Sequence, residues 1–345
     1  MEYLDLRRTA IEEICPSIAV MGRFVTLDYL RLSFTNIQSI PASIKNISCL
    51  RHLDVSYCER LESLPQLPSS LEELIASGCT QLETITSFTL CRISRDWNKY
   101  ISREPYDYSY QGEALLFTDC TKLDQKARKN IEAEAKLKIH RVAYLYSRKI
   151  LEGRIPNDII HPLARIYLPG SEIPEWFSYR TTGSSITLIL RPALLNDHNF
   201  LGFAVCSVTL GNAVECKVFL EEDLVYTNEL KETSFYWDGQ TPSNEHVLMS
   251  YDSHIKIKLV EKLRELFNLS TISRVVKITF EFSPHNYIKK NGVSMVCVQD
   301  QDRPLQGIGT KRHKEEVVVV EELEEQEAQR KKKNIEQCVL SNQLT

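Results

Sequence analysis

The chain has 345 residues, 43% of them apolar and 26% charged, with a formal net charge of −4. This is ordinary for a globular protein with room for two domains and an ample core, and it makes no overall case for nucleic-acid or membrane binding. No run of about 18 apolar residues offers a membrane-spanning helix.

Residues 4–85 contain a repeat. Leu4, Leu30, Leu53 and Leu74 align, and so do Leu6, Leu32, Val55 and Ala76. Further columns are Thr9, Thr35, Cys58, Cys79; then Ile11, Ile37, Leu61, Leu82; then Ile14, Ile40, Leu64, Ile85. The spacings of 26, 23 and 21 residues fall in the range of leucine-rich repeats, in which each unit lays one short strand on a concave face. About four such repeats are expected over 1–86. The Thr/Cys column stands where a small polar side chain satisfies backbone groups of the turn. The chain opens inside a repeat without an apolar signal-peptide core, so a truncated product or a fragment is expected. The strand positions expected to face solvent are Tyr3, Asp5, Arg7, Tyr29, Arg31, Ser33, His52, Asp54, Ser56, Glu73, Ile75 and Ser77. Their mixture of both charge signs with aromatics suits protein recognition better than phosphate.

Residues 87–114 form an irregular aromatic connector carrying Trp97, Tyr100, Tyr106, Tyr108 and Tyr110, expected to pack across the end of the repeats. Between 124 and 152 the absence of Gly and Pro and the rough spacing of Ile131, Ala135, Lys138, Ala143, Leu145 and Ile150 predict a helix ending before Gly153. Its basic residues, Lys126, Arg128, Lys129, Lys136, Lys138 and Arg141, alternate with Glu132 and Glu134 and read as a solvated face.

The stretch Pro169-Gly170-Ser171-Glu172-Ile173-Pro174-Glu175-Trp176-Phe177 is built as a corner. Pro169 fixes φ, Pro174 removes a ladder donor, and Trp176 and Phe177 bring enough apolar area to plug one end of a sheet. Strand-like runs follow the helix at Arg165–Leu168, Ser185–Arg191, Leu201–Leu210, Val214–Glu221, His246–Tyr251, Arg274–Phe282 and Gly292–Val298, the pattern of a two-sheet sandwich. His254–Asn268 reads as a helical insertion across one end of it. Beyond Asp300 the chain becomes a charged tail, expected to be disordered or helical, whose Arg330-Lys331-Lys332-Lys333 run meets the minimum for a nuclear-import patch.

The corner, together with Phe117-Thr118-Asp119-Cys120-Thr121-Lys122-Leu123 and Leu201-Gly202-Phe203-Ala204-Val205-Cys206, resembles the domain that follows the repeats in plant TIR-NB-LRR disease-resistance receptors. The resemblance covers about residues 115–300, and the repeats before it resemble the same family. It implies a mixed α/β chain: a short leucine-rich-repeat solenoid, a helix, and an all-β jelly-roll or Ig-like sandwich. Cys120, Pro169, Gly170, Pro174, Trp176, Phe177, Gly202 and Phe203 are its motif residues. One departure is visible. Where the family usually reads Lys-Lys-Cys-Gly-Val, this chain has Lys289-Lys290-Asn291-Gly292-Val293, and Asn-Gly is expected to serve as a turn. The TIR and nucleotide-binding parts of such receptors have no counterpart in these residues.

Catalytic constellations are missing from the sequence. Gly307-Ile308-Gly309-Thr310-Lys311 lacks the spacing of a phosphate loop, and no H-E-x-x-H or H-x-H pair offers a metal site. Glu172 and Glu175 lack a nearby His or Lys to tune them, and His161 and His198 fall in loops. Ten scattered cysteines, with no C-x-x-C pair, fit reduced thiols. The expectation is therefore a chain without enzymatic activity, cofactor or metal. The resemblance implies that it recognises a pathogen effector or a guarded host protein in the cytoplasm, or in the nucleus if the basic run acts. Contact residues expected from the concave face are Tyr29, Arg31, His52, Asp54 and Glu73. From turn-rich segments they are Asn196, Asp197, His198, Tyr236, Trp237 and Asp238. The alternatives are an adaptor that pairs with full-length receptor chains, and a carbohydrate-binding or hydrolytic jelly roll.

Overall fold

The computed structural model describes residues 2–15, 26–86, 112–151, 163–211, 213–231, 244–266, 275–298 and 318–319. Strands β1 (Tyr3–Asp5), β2 (Tyr29–Arg31), β3 (His52–Asp54), β5 (Glu73–Ile75) and β7 (Gly112–Leu116) stack in parallel, each in register with the next. A smaller parallel pair, β4 (Ser63–Leu64) with β6 (Thr84–Ile85), lies on the return side. The middle residue of each three-residue strand of this stack, and Leu115 of β7, points inward. Leu30, Leu53, Leu74 and Leu115 are buried, and their registered stacking makes one continuous apolar layer with Ile37, Leu61 and Leu82.

Two backbone features repeat with the leucines. Arg8, Phe34, Tyr57, Gly78 and Asp119 all adopt positive φ between 55° and 75°, each four residues after the strand leucine. Side chains of the next column then satisfy the turn. Thr9 Oγ1 donates to Leu6 O at 2.6 Å and Thr35 Oγ1 to Leu32 O at 2.7 Å. The thiols of Cys58, Cys79 and Cys120 donate to Leu32 O, Val55 O and Ala76 O at 3.1–3.2 Å. Both columns run through to Asp119 and Cys120, so β7 carries a fifth unit of the stack. The expected boundary at 114/115 falls inside this strand, and the expected connector lies outside the described residues except for 112–114.

The parallel stack does not stop at β7. Strand β8 (Leu163–Pro169) pairs parallel with it, and β14 (His246–Asp252) then pairs antiparallel with β8. Strands β11 (Phe200–Thr209), β16 (Ile288–Cys297) and β9 (Tyr179–Thr181) complete a ten-stranded sheet in the order β1-β2-β3-β5-β7-β8-β14-β11-β16-β9. A second sheet has the order β13-β12-β15-β10-β17. Its strands are β10 (Ser185–Leu190), β12 (Ala213–Leu220), β13 (Asp223–Lys231), β15 (Val276–Ser283) and β17 (Val318–Val319).

The two faces of the large sheet are covered differently. Helix α1 (Gln125–Leu151), N-capped by Asp124 accepting from Ala127 N at 2.6 Å, lays Ala127, Ile131, Ala135, Ile139 and Val142 on one face. On the other face the second sheet shares a core with Ile75, Ala114, Leu116 and Tyr167, while the chain's N-terminal strands are left outside that cluster. A helical turn, α2 (Pro192–Leu195), and helix α3 (Ser253–Leu266) close one end, with Ile255, Leu259 and Leu263 buried.

Four expectations are corrected. Lys138 and Arg141 do not lie on a solvated face. The Lys138 side chain is 2% exposed and its Nζ reaches Glu113 Oε2 at 2.7 Å and Leu71 O at 2.9 Å, and Arg141 also pairs with Glu113. Burial opposes charge on Glu113, but Lys138 and Arg141 outweigh it and hold the carboxyl below its usual range. Asn291-Gly292 is not a turn; it lies inside β16 opposite β11 and β9. Glycine is required there because an added Cβ would stand 2.8 Å from Ile173 Cγ2 and 3.4 Å from Phe177, the apolar residues of the corner. Strand β13 was not anticipated: it is an edge strand of which only Asn228 and Leu230 are buried, so its sequence carries little alternation. Finally, Val318 and Val319 of the expected disordered or helical tail form strand β17.

Candidate functional site

Register places the strand residues in straight columns across the sheet. Tyr3, Tyr29, His52, Glu73 and Ala114 form one; Asp5, Arg31, Asp54, Ile75 and Leu116 form the next. The columns change chemistry along their length. At the β1 end Tyr3 is 42% exposed, its ring centroid 5.8 Å from that of Tyr29, and Tyr29 stacks on His52 at 4.1 Å with rings 3° apart. Arg31 lies over the Tyr3 ring at 5.2 Å, and His52 Nδ1 lies 3.1 Å from Glu73 Oε2. The result is an aromatic stripe flanked by Arg31 and Glu73.

Of the expected concave contacts, the structure therefore brings together Tyr29, Arg31, His52 and Glu73. Asp54 sits in the same array but is 8% exposed, and its Oδ1 accepts from Ser56 N at 3.0 Å and Ser56 Oγ at 2.6 Å. Burial pushes its carboxyl up, against the lowering effect of those hydrogen bonds and of Arg31. Its work is to fix the turn after β3. Ser33, Ser56 and Ser77, expected to face solvent, are buried.

Asn196, Asp197 and His198 form a separate locus between α2 and β11; β5, β7, β8 and β14 intervene between β3 and β11. Asp197 Oδ1 accepts from Asn199 N at 2.8 Å, and Lys256 of α3 donates to Phe200 O. Asn196 and His198 border a recess of about 300 Å³ whose walls include Tyr146, Tyr251, Lys256 and Val260. Burial pushes the Tyr146 hydroxyl up to about 12 and lowers the Lys256 ammonium. Tyr236, Trp237 and Asp238 lie outside the described residues.

The motif residues hold the two halves together. Pro169 ends β8 and its carbonyl accepts from Arg128 of α1 at 3.1 Å; Gly170 N donates to Glu245 O at 3.0 Å. Phe177 N donates to Pro174 O at 3.0 Å, closing the corner, and buried Phe177 stacks under Trp176 at 3.9 Å. Glu172 pairs with Lys290 on the surface. Gly202 has φ +137°, and a Cβ there would meet Tyr251 at 3.2 Å; Phe203 packs edge-on against Phe200 and Phe280. Sequence reasoning missed His246, whose Nε2 accepts from Asp119 N at 3.0 Å while Nδ1 lies 2.6 Å from Asn244 O. That geometry puts the proton on Nδ1, and burial lowers the imidazole's tendency to protonate. No short-range pattern marks the residue, since its partner is 127 positions away in the fifth repeat unit. Among the described residues no cluster of His, Cys, Asp or Glu could hold a metal ion, and no helix is long and apolar enough to cross a membrane.

A two-sheet domain joined edge to edge with a parallel repeat stack is the class that these elements define, and residues 168–302 match the model of the C-JID domain. Three similar proteins, all from Arabidopsis thaliana, extend the match. Disease resistance protein RPS4 is 31% identical over 193 residues, covering 56% of this chain and 14% of the relative. Disease resistance-like protein DSC1 is 27% identical over 263 residues, covering 70% and 20%. Disease resistance protein RPP2B is 34% identical over 157 residues, covering 45% and 11%. The chain thus spans a fifth or less of the length of each of these relatives. It is a homologue of plant TIR-NB-LRR disease-resistance proteins, matching their C-terminal part, and its relatives support a role in plant defence.

Proposed function

We propose that this chain is the recognition half of a plant immune receptor, a leucine-rich-repeat solenoid fused to a jelly-roll or Ig-like domain. It binds a pathogen effector or a guarded host protein in the cytoplasm by protein–protein contact alone, with no enzymatic step. The observation that carries this reading is the Tyr3–Tyr29–His52 stripe at the β1 end of the sheet, flanked by Arg31 and Glu73. Stacked aromatics beside a partly covered guanidinium are the side chains that dominate interface energetics, and their packing has already removed much of the entropy that binding would cost. The Asn196–His198 segment supplies a second contact in this reading. Receptors that bind effectors in this way couple the binding to signalling parts outside the residues of this chain.

The test is affinity capture from infected leaf tissue with the full chain as bait, beside the same chain carrying Tyr29→Ala and His52→Ala. A pathogen protein, or a host protein that is its target, held by the unaltered chain and lost by the variant is the expected result. Recovery of full-length receptor chains alone, equally by both baits, would sink the reading and favour an adaptor that assembles with receptors. Turnover of a glycan by the full chain would sink it in favour of a hydrolytic jelly roll.

A further inference from the structure

The second sheet has an edge whose occupant lies outside the matched domain. Strand β10 pairs along its full length with β15, from Ser185↔Glu281 to Leu190↔Val276. Its inward residues Ile186, Leu188 and Leu190 are buried, while Ser185, Thr187 and Ile189 on the other face are half-buried. On its other side β10 meets β17, antiparallel, with Leu188↔Val319 and Ile189↔Val318. Without β17, β10 would present a six-residue apolar edge of unpaired backbone donors and acceptors, the feature that recruits foreign strands. The occupant comes from beyond residue 302, where the domain match ends. Its sequence suits the task. Val317–Val320 is a β-branched run set between Glu315-Glu316 and Glu321-Glu322, apolar enough to pair and too charged at both ends to extend a sheet further.

We propose that the β10 edge is a strand-acceptor site and that this chain's own Val318–Val319 fills it in cis as a removable cap. Among the described residues, Val318 and Val319 pair with Ile189 and Leu188 of this six-residue edge strand. An extended, β-branched segment of a partner that pairs with more of the edge than the cap does replaces the cap by forming more backbone hydrogen bonds than it breaks. The cap keeps the domain from adding strands at random, and its release opens a binding edge remote from the aromatic stripe.

Proline at 318 and 319 removes the ladder donors and cannot pair, while leaving the sandwich sequence untouched. Hydrogen–deuterium exchange of residues 185–190 is compared between the full chain and its Val318→Pro/Val319→Pro variant, alongside binding of a labelled peptide of sequence 315–322. In the variant, the β10 amides that point away from β15 should exchange about tenfold faster, with those bonded to β15 unchanged. The peptide should bind the variant and not the unaltered chain. Unchanged exchange in the variant, or equal peptide binding to both proteins, would overturn the proposal. Faster exchange without peptide binding would overturn the acceptor site. Protection that is lost when the unaltered chain is diluted would overturn the cis arrangement, because a second copy would then be donating the strand.

Discussion

The two ends of the ten-stranded sheet share one backbone and differ in everything their outward side chains do. At β1–β3 the outward column reads Tyr3, Tyr29, His52, while at β5–β8 the neighbouring column reads Ile75, Leu116, Tyr167. The repeat geometry is the same: β7 keeps the inward leucine, the left-handed residue and the hydrogen-bonding thiol of the units before it. What changes is the cover. The second sheet packs on Ile75, Ala114, Leu116 and Tyr167 of β5, β7 and β8, so a polar residue at those positions would be stranded in the core, whereas no described residue of β1–β3 joins that cluster. The aromatic stripe is therefore found only on strands outside the shared core, and β5, β7 and β8 have become the floor of a sandwich.

Disrupting the covered end should give the largest effects. Glu113→Ala would leave Lys138 and Arg141 facing each other in the seam between α1 and β7 without their shared carboxylate. Stranding a buried charge of this kind costs about 3–5 kcal/mol, read as a lowered midpoint in urea unfolding. The same group sets a pH dependence. Its folded pKa is depressed, so its contribution is complete above the ordinary carboxylate range and is lost as pH falls through the depressed value. The Glu113→Ala variant should lack that acid limb. Leu116→Ala, which opens a cavity in the core shared by both sheets, should cost about 2–5 kcal/mol in the same assay.

A smaller effect probes the corner. Gly292→Ala places a methyl 2.8 Å from Ile173 Cγ2, so the corner or β16 must shift, at a cost of about 1–3 kcal/mol. Ile173→Ala removes the atom that clashes. In the double variant the two changes should therefore be worth less than their sum, and strict additivity would show that the corner does not rest on Gly292.

These positions also mark how far the sequence could be read. The leucine and Thr/Cys columns were legible because each position repeats at nearly constant spacing, as were the strands whose apolar residues alternate or run together, such as β11 and β15. The fifth repeat unit was hidden by its distance from the fourth: Leu115 follows Leu74 by 41 residues, about twice the spacing of the preceding step. Its segment Phe117–Leu123 was noticed as a motif, yet its place in the ladder emerges only from the parallel pairing of β5 with β7. Lys138 misled for a different reason. Helical spacing put it on the inner face, its charge argued for solvent, and the deciding partner, Glu113, is distant in sequence. In the candidate site, adjacency of Tyr29, Arg31, His52 and Glu73 followed from the repeat. The burial of Asp54 did not, because local spacing does not report that its carboxylate folds into the turn after β3 to accept from Ser56 N and Oγ.

The uncovered end should behave in the opposite way from Leu116. Tyr29 stacks face to face on His52 and meets Tyr3 at a tilt, and it is not part of the shared sandwich core. Tyr29→Ala should cost no more than the worth of its aromatic contacts, about 0.5–1.5 kcal/mol, with the urea slope unchanged. If the stripe binds a protein, the same substitution should weaken that binding by at least as much as it weakens the fold, because the ring is preorganised for contact rather than used for packing. A stability loss for Tyr29→Ala equal to that of Leu116→Ala would mean that the β1–β3 end is also structural core, and the contrast between the two ends would fail. An intact fold with weakened capture would place the specificity of this chain on the uncovered strands β1–β3.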